Sequence, residues 1–172
     1  MKKIKLISFF LACLAFASCK TDDAQTSELN IYLQDAPASA YEKIKIEVKG
    51  ISVYSQASGT WVTLTVTDGV FDLLTLDSLH QAFLGKIKVA GGTISDVRLI
   101  IGSENNVTIS GIDYPIILDS SDLDKLTVKT SNNISAGTSY KLTIDFKASE
   151  SIDDSGGVYK LKASLKVTIK PI

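Results

Sequence analysis

A cysteine placed directly behind Ala17 and Ser18, at the end of an apolar run, is set up for one chemistry: alkylation of its thiol by a diacylglyceryl group. Phe16-Ala17-Ser18-Cys19 has the form of a lipobox, although an aliphatic residue is usual where Phe16 stands. Lys2, Lys3 and Lys5 form a positive start, and Ile4 to Phe16 is the apolar stretch of a secretory signal. That stretch is too short for a membrane span, which takes about 20 apolar residues. Ala15-Phe16-Ala17 also fits the A-x-A site of ordinary secretion, so two cleavage readings stand, and Cys19 behind the small pair favours the lipoprotein. Lys20-Thr21-Asp22-Asp23 is similar to the tether that sends some bacterial lipoproteins to the outer face of the outer membrane; the plain alternative is a solvated linker. The expected location is the outer membrane, on its periplasmic or cell-surface side, with acyl chains such as palmitate holding the protein to the bilayer.

The remaining side chains suggest binding more than turnover. Carbohydrate capture needs an aromatic ring to stack a sugar and polar groups to fix its hydroxyls. Trp61 is the natural candidate, because Val62, Leu64 and Val66 alternate away from it, and Tyr32, Tyr41 and Tyr54 join it as rings expected at the surface. One tryptophan at a strand start also serves as rim packing. Asp145, Glu150, Asp153 and Asp154 could gather oxygen ligands around calcium, but the EF-hand spacing is absent and solvated loop acids are the commoner outcome. His80 is the one histidine, with no Gly-x-Ser-x-Gly elbow to make it a base. Two carboxylates would suffice for a glycosidase, yet no spacing among the 19 acids singles out a pair. No cofactor is expected, and calcium is left without a motif.

Cys13 lies inside the signal and Cys19 is the acylation candidate, so the domain has no thiol for a disulfide, a zinc site or a nucleophile. From Cys19 onward, 154 residues carry 15 basic and 19 acidic side chains, a size for one domain and a charge that argues against nucleic acid.

These side chains must be positioned by strands, since the apolar period is close to two almost throughout. Leu29, Ile31 and Leu33 alternate with polar neighbours, as do Tyr140, Leu142, Ile144 and Phe146, and as does the whole run Tyr159 to Ile169, read as one strand with a wet face. Ile44, Ile46 and Val48 are followed by Ile51 and Val53, a phase shift that predicts a bulge at Gly50. Further strands are expected over 61–66, 70–76, 93–101, 107–109, 112–118 and 126–129. Asp77 to Leu84 reads as one short helix capped by Asp77 or Ser78, and residues 149–157 as a flexible polar loop where function is to be sought. Asp35 is expected to cap local amides ahead of Pro37, and Lys160, Lys162, Lys166 and Lys170 to form one solvated lysine row. The organisation expected is a signal peptide over 1–18, an acylated cysteine and tether over 19–28, and a single domain over 29–172. Its fold class is all-β, an immunoglobulin-like or transthyretin-like β-sandwich with one short connecting helix.

Over Leu29 to Ile169 the chain resembles a family of bacterial lipoproteins known as domain of unknown function 4382. The resemblance rests on Asp35-Ala36-Pro37, on Trp61 ahead of Phe71-Asp72-Leu73-Leu74, and on Gly91-Gly92 ahead of Val97-Arg98-Leu99. It continues through Ile144-Asp145-Phe146, then Ser151-Ile152 and Tyr159-Lys160-Leu161-Lys162. The family usually has a second aspartate where Lys147 stands, which weakens a metal site around Asp145, and a proline where Ala163 stands, whose loss suits a longer strand. The resemblance implies a lipid-anchored, β-rich domain outside the cytoplasm and brings no activity with it. The function expected is therefore a non-catalytic binding module for glycans or envelope proteins. The alternatives are a fimbrillin-like assembly subunit adding a strand to its neighbour and, more remotely, a carboxylate glycosidase.

Overall fold

Alternating apolar and polar residues become strands wherever a partner ladder is within reach, and in the computed structural model that holds for most of the chain. The structure describes residues 25–35, 40–67, 69–118, 126–162 and 164–172, so the signal, Cys19 and the start of the tether lie outside the described residues. The strands are β1 (Thr26–Gln34), β2 (Lys43–Ser55), β3 (Thr60–Thr65), β4 (Val70–Asp72), β5 (Ala82–Ala90), β6 (Gly92–Ile101) and β7 (Asn106–Ile109). They continue with β8 (Ile112–Ile117), β9 (Thr127–Ile134), β10 (Ser139–Asp145), β11 (Ile152–Asp154), β12 (Tyr159–Leu161) and β13 (Lys166–Pro171), with a four-residue helix α1 (Ala148–Ser151) before β11. None of the described helices is long and apolar enough to cross a membrane.

Two sheets result. The smaller runs β13-β10-β1-β5, and the larger β11-β12-β8-β7-β2-β6-β9, with β3 and β4 also paired to β2. β5 lies against β3 and β13 against β9, so the small sheet covers one part of the large one. Between them sit Leu29, Ile31 and Leu33 of β1, Leu142 and Ile144 of β10, Ile51 and Val53 of β2, and Val97 and Leu99 of β6, all 2% exposed or less. Burying such side chains contributes roughly 1.5–3 kcal/mol each relative to exposure. The fold is all-β, as expected.

The phase shift in β2 is a bulge. Val48 pairs with Ile101 and Gly50 with Ile100, leaving Lys49 as the extra residue. Glycine is needed at position 50 because the carbonyl oxygen of Leu64 comes within 2.6 Å of where a Cβ would stand.

Five expectations are corrected. The helix over Asp77 to Leu84 is not formed. The Asp77 carboxylate does accept the amides of Leu79 and His80, each at 2.7 Å, but the resulting turn is not continued. Residues from Ala82 onward are drawn into β5 by the ladder with β1. Alternation there was masked by an irregularity opposite Ile31 and Tyr32, beside Gly85 at φ +138°.

The run 159–169 is two strands in different sheets, β12 and β13. What divides it is Ser151, fully buried, whose hydroxyl donates to the Phe146 carbonyl at 2.8 Å and accepts the Ser164 amide at 2.9 Å. The Lys162 amide donates to the Ser151 carbonyl at 2.8 Å. The lysine row is divided with the strand. The polar loop is likewise ordered: it forms α1 and β11, the latter paired with β12. Asp35, finally, is 3% exposed and its carboxylate accepts the amide of Ala148 at 2.8 Å, so it caps α1 from across the fold.

Candidate functional site

Three aromatic clusters reach the surface. The first lies on the outer face of the small sheet, where β1 alternates Leu29, Ile31 and Leu33 inward and so turns Asn30, Tyr32 and Gln34 outward. β1 and β10 run parallel, placing Tyr32 beside Thr143 and Asn30 beside Lys141. β13 adds Thr168 opposite Thr143 and Lys170 opposite Lys141, and β5 adds Phe83 opposite Tyr32. The Tyr32 and Phe83 rings are 5.2 Å apart between centroids, and Lys141 Nζ stands 4.5 Å above the Tyr32 ring. Phe83 is 54% exposed. Beside the pair is an open hollow of about 260 Å³ lined by Gln34, Gln81, Lys141, Thr143, Thr168 and Lys170, in which the Gln81 amide donates to the Gln34 side-chain carbonyl. Enclosed small-molecule sites measure roughly 300–1,000 Å³, so a shallow hollow of this size suits one unit of a longer ligand.

The second cluster is on the outer face of the large sheet, where Tyr54 pairs with Trp61 across β2 and β3 at a centroid separation of 5.4 Å. Trp61 faces out as expected, but the guanidinium carbon of Arg98 lies 4.7 Å over its ring, and Arg98 Nε donates to Thr127 Oγ1 at 3.0 Å. A ring face already covered by a cation is a satisfied packing surface rather than an open stacking platform.

The third gathers Tyr41, Tyr114 and Tyr159 beside the β11–β12 hairpin. Burial first, and then the negative charge of Asp154, push the hydroxyls of Tyr41 and Tyr159 above the ordinary tyrosine value. Tyr32, Tyr54 and Trp61 are thus divided between two faces, Tyr32 on one and the other two together.

Three of the four acids singled out for calcium are engaged with other partners, and the fourth, Asp145, stands apart from them on β10. Glu150 pairs with Lys147 at 3.3 Å and accepts from Ser164 at 3.1 Å. Asp153 pairs with Lys162 at 2.9 Å, which holds its carboxyl below the ordinary range, and Asp154 accepts the Gly157 amide at 3.1 Å. Asp145 lies on β10 beside Gln34 and Lys166, with one carboxylate oxygen buried and without a hydrogen bond. No group of three or more histidine, cysteine, aspartate or glutamate side chains among the described residues is arranged to hold a metal ion. His80 Nδ1 faces Asp77 at 3.1 Å on an exposed turn.

Sequence reasoning reached Tyr32 but missed Phe83, Gln81, Lys141, Thr143 and Thr168. The usable signal was the wet face of β10 and the alternation of Ile87 and Val89 with Lys86 and Lys88, which marks a strand but does not extend in phase to Phe83.

A family model described as "Domain of unknown function (DUF4382)" matches residues 26–163. No curated protein matches the chain. Among solved structures, a protein of Parabacteroides distasonis ATCC 8503, described provisionally as a cell adhesion protein, is similar at 12% identity and a TM-score of 0.44. The match covers 86% of this chain and 51% of that one, so this chain spans about half the length of that protein.

Proposed function

The chain belongs to the DUF4382 family, and on that premise we propose that it is a lipid-anchored protein of the outer membrane that binds saccharide chains, without catalysis, on the outer face of its small sheet. One observation carries the reading: Phe83, exposed and packed on a Tyr32 ring that Lys141 covers, stands beside a hollow lined by two amides, two threonines and two lysines. An aromatic edge can stack against the C–H face of a sugar ring, and amide and hydroxyl groups can both donate to and accept from its hydroxyls. Among the described residues no aspartate or glutamate lines the hollow, which favours binding over the paired-carboxylate mechanism of a glycosidase. Cys19 holds this face to the membrane through its acyl chains. The assembly reading draws on β13 as an edge strand, but Lys166 and Lys170 there discourage pairing with a neighbour.

The test is the melting temperature of the full chain, kept in detergent, across a panel of polysaccharides. A ligand at about 100 times its Kd stabilises by about 2.7 kcal/mol. A rise that Phe83→Ala abolishes supports the reading; a rise that survives Phe83→Ala and Thr143→Val but is lost on changing another face overturns it. Incorporation of labelled palmitate, lost in Cys19→Ala, tests the anchor.

A further inference from the structure

Resting on the reading of this face as a saccharide site, we propose that its ligand is an acidic polysaccharide, with carboxylate groups held between Lys141 and Lys170 while a sugar ring packs on Phe83. The face carries Lys86, Lys88, Lys141, Lys166 and Lys170 against Glu28 and Asp145, on a chain whose overall charge is slightly negative. Positive charge is therefore concentrated here.

Edge protection explains part of it, since Lys86 and Lys88 stand on β5 and Lys166 and Lys170 on β13, the two edges of the sheet. It does not explain Lys141, which stands on the interior strand β10. Lys141 is directly opposite Lys170 in the antiparallel ladder, an arrangement of like charges that destabilises a sheet. The Tyr32 ring under Lys141 offsets some of that cost. Among the described residues no carboxylate pairs with either ammonium group, whereas Lys86 is paired with Glu28 at 3.3 Å. Asp145 is four residues from Lys141 along β10, about 13 Å at strand rise, beside Gln34 and opposite Lys166.

The repulsion becomes an attraction once an anion lies between the two lysines. Asn30, Lys141 and Lys170 form one cross-strand row with Lys86, and Phe83, Tyr32, Thr143 and Thr168 form the next. Adjacent strands are about 4.8 Å apart, so Phe83 on β5 stands two strands, about 10 Å, from Lys141 and three strands, about 14 Å, from Lys170, a separation that a chain of a few sugar units spans. In a uronate polymer one unit can pack its C–H face on Phe83 while the carboxylate of a unit further along the chain reaches the lysines, which fits charge in one row and ring in the next.

The probes are polygalacturonate, its fully methyl-esterified counterpart with the same backbone and no charge, and duplex DNA as an unrelated polyanion. Binding to the full chain in detergent is measured at low and high salt. The acidic polymer is expected to bind at low salt and to weaken as the screening length shrinks from about 10 Å at 0.1 M to about 3 Å at 1 M. The ester is expected to bind at least fivefold more weakly. Removing both charges, Lys141→Gln with Lys170→Gln, should weaken the acidic polymer about fivefold and, because it relieves a pair of opposed like charges, should not lower the melting temperature of the free protein. Lys162→Gln, just past β12 of the other sheet, breaks the pair with Asp153 but should leave the affinity for the acidic polymer unchanged. Equal affinity for acid and ester, insensitive to salt, overturns the charge assignment and leaves the saccharide reading standing. Binding to neither polymer overturns both, and DNA binding as tight as the acidic polymer reduces the face to unselective polyanion adsorption and overturns the proposal.

Discussion

Replacing Ser151 by alanine should release the crossing that sends the chain from one sheet to the other. The hydroxyl is fully buried, donates to the Phe146 carbonyl at 2.8 Å and accepts the Ser164 amide at 2.9 Å. Alanine fills nearly the same volume, so no cavity is added and the effect is confined to the two polar groups left behind. A typical hydrogen bond contributes about 0.5–1.5 kcal/mol net, and a buried group left unpaired costs about 1–3 kcal/mol. Phe146 is buried and Ser164 half-buried, so water can partly recover the amide and a total of about 2–3 kcal/mol is expected. In a domain of this size each kcal/mol moves Tm by about 2–4 °C, so a fall of about 5–10 °C should accompany the shift of the urea midpoint. Amide exchange gives the specific signature: Ser164 loses protection, while Lys162, whose amide bonds the backbone carbonyl of residue 151, keeps its own. A cost below about 0.5 kcal/mol, the range of an ordinary surface change, together with unaltered protection at Ser164, would refute the role given to Ser151.

Gly50→Ala should cost about 1–3 kcal/mol by overpacking, because the new methyl meets the Leu64 carbonyl oxygen; equilibrium unfolding checks it, and a neutral result would mean that β3 can move aside. Trp61→Ala should leave polysaccharide binding unchanged while lowering stability by about 1 kcal/mol through the lost Arg98 contact, which isothermal titration and urea melts separate. Glu47 is held below its ordinary value of 4.5, chiefly by the Lys49 side chain and then by the Glu104 amide, and Asp77 below 3.8 by the His80 and Leu79 groups. The unfolded chain thus takes up protons more readily than the fold, so stability is full above about pH 4.5 and falls as pH drops below it. Melts from pH 7 to pH 3 should show that fall, and Glu47→Gln should flatten it.

Local pattern carried the strands whose alternation is unbroken. β1 and β10 stand where Leu29 to Leu33 and Tyr140 to Phe146 placed them, and the phase change at Gly50 marked its bulge correctly. β5 was hidden because the irregularity near Leu84 and the unusual backbone at Gly85 interrupt the period, while Asp77 offered a genuine cap for a helix that has no need to continue. The division of 159–169 is invisible locally, since those residues alternate without a break and the dividing group is Ser151. Several residues that carry the family resemblance meet at that same place: Asp35 caps Ala148, Gln34 accepts the Phe146 amide at 3.0 Å, and Ser151 holds Phe146 and Ser164. They maintain the architecture rather than any chemistry. The candidate face was legible only at Tyr32, because, Gln34 of β1 and Gln81 ahead of β5 apart, its other members come from β5, β10 and β13, and their adjacency depends on a strand order that one sequence does not contain.

The pairing of β1 with β10 also decides how the protein meets a pull. β1 follows closely on the proposed acylation site, whereas Phe83, Lys141 and Lys170 of the proposed ligand face stand on β5, β10 and β13, so tension between membrane and captured polymer would enter through β1 and leave through the other strands of its sheet. It is flanked on both sides, in register with β10 from Glu28 to Gln34 and with β5 along most of its length. A force along its axis is perpendicular to those hydrogen bonds and loads them together in shear, whereas an edge strand peeled from its end would yield one rung at a time. The tethered strand is thereby the one best placed to hold under flow.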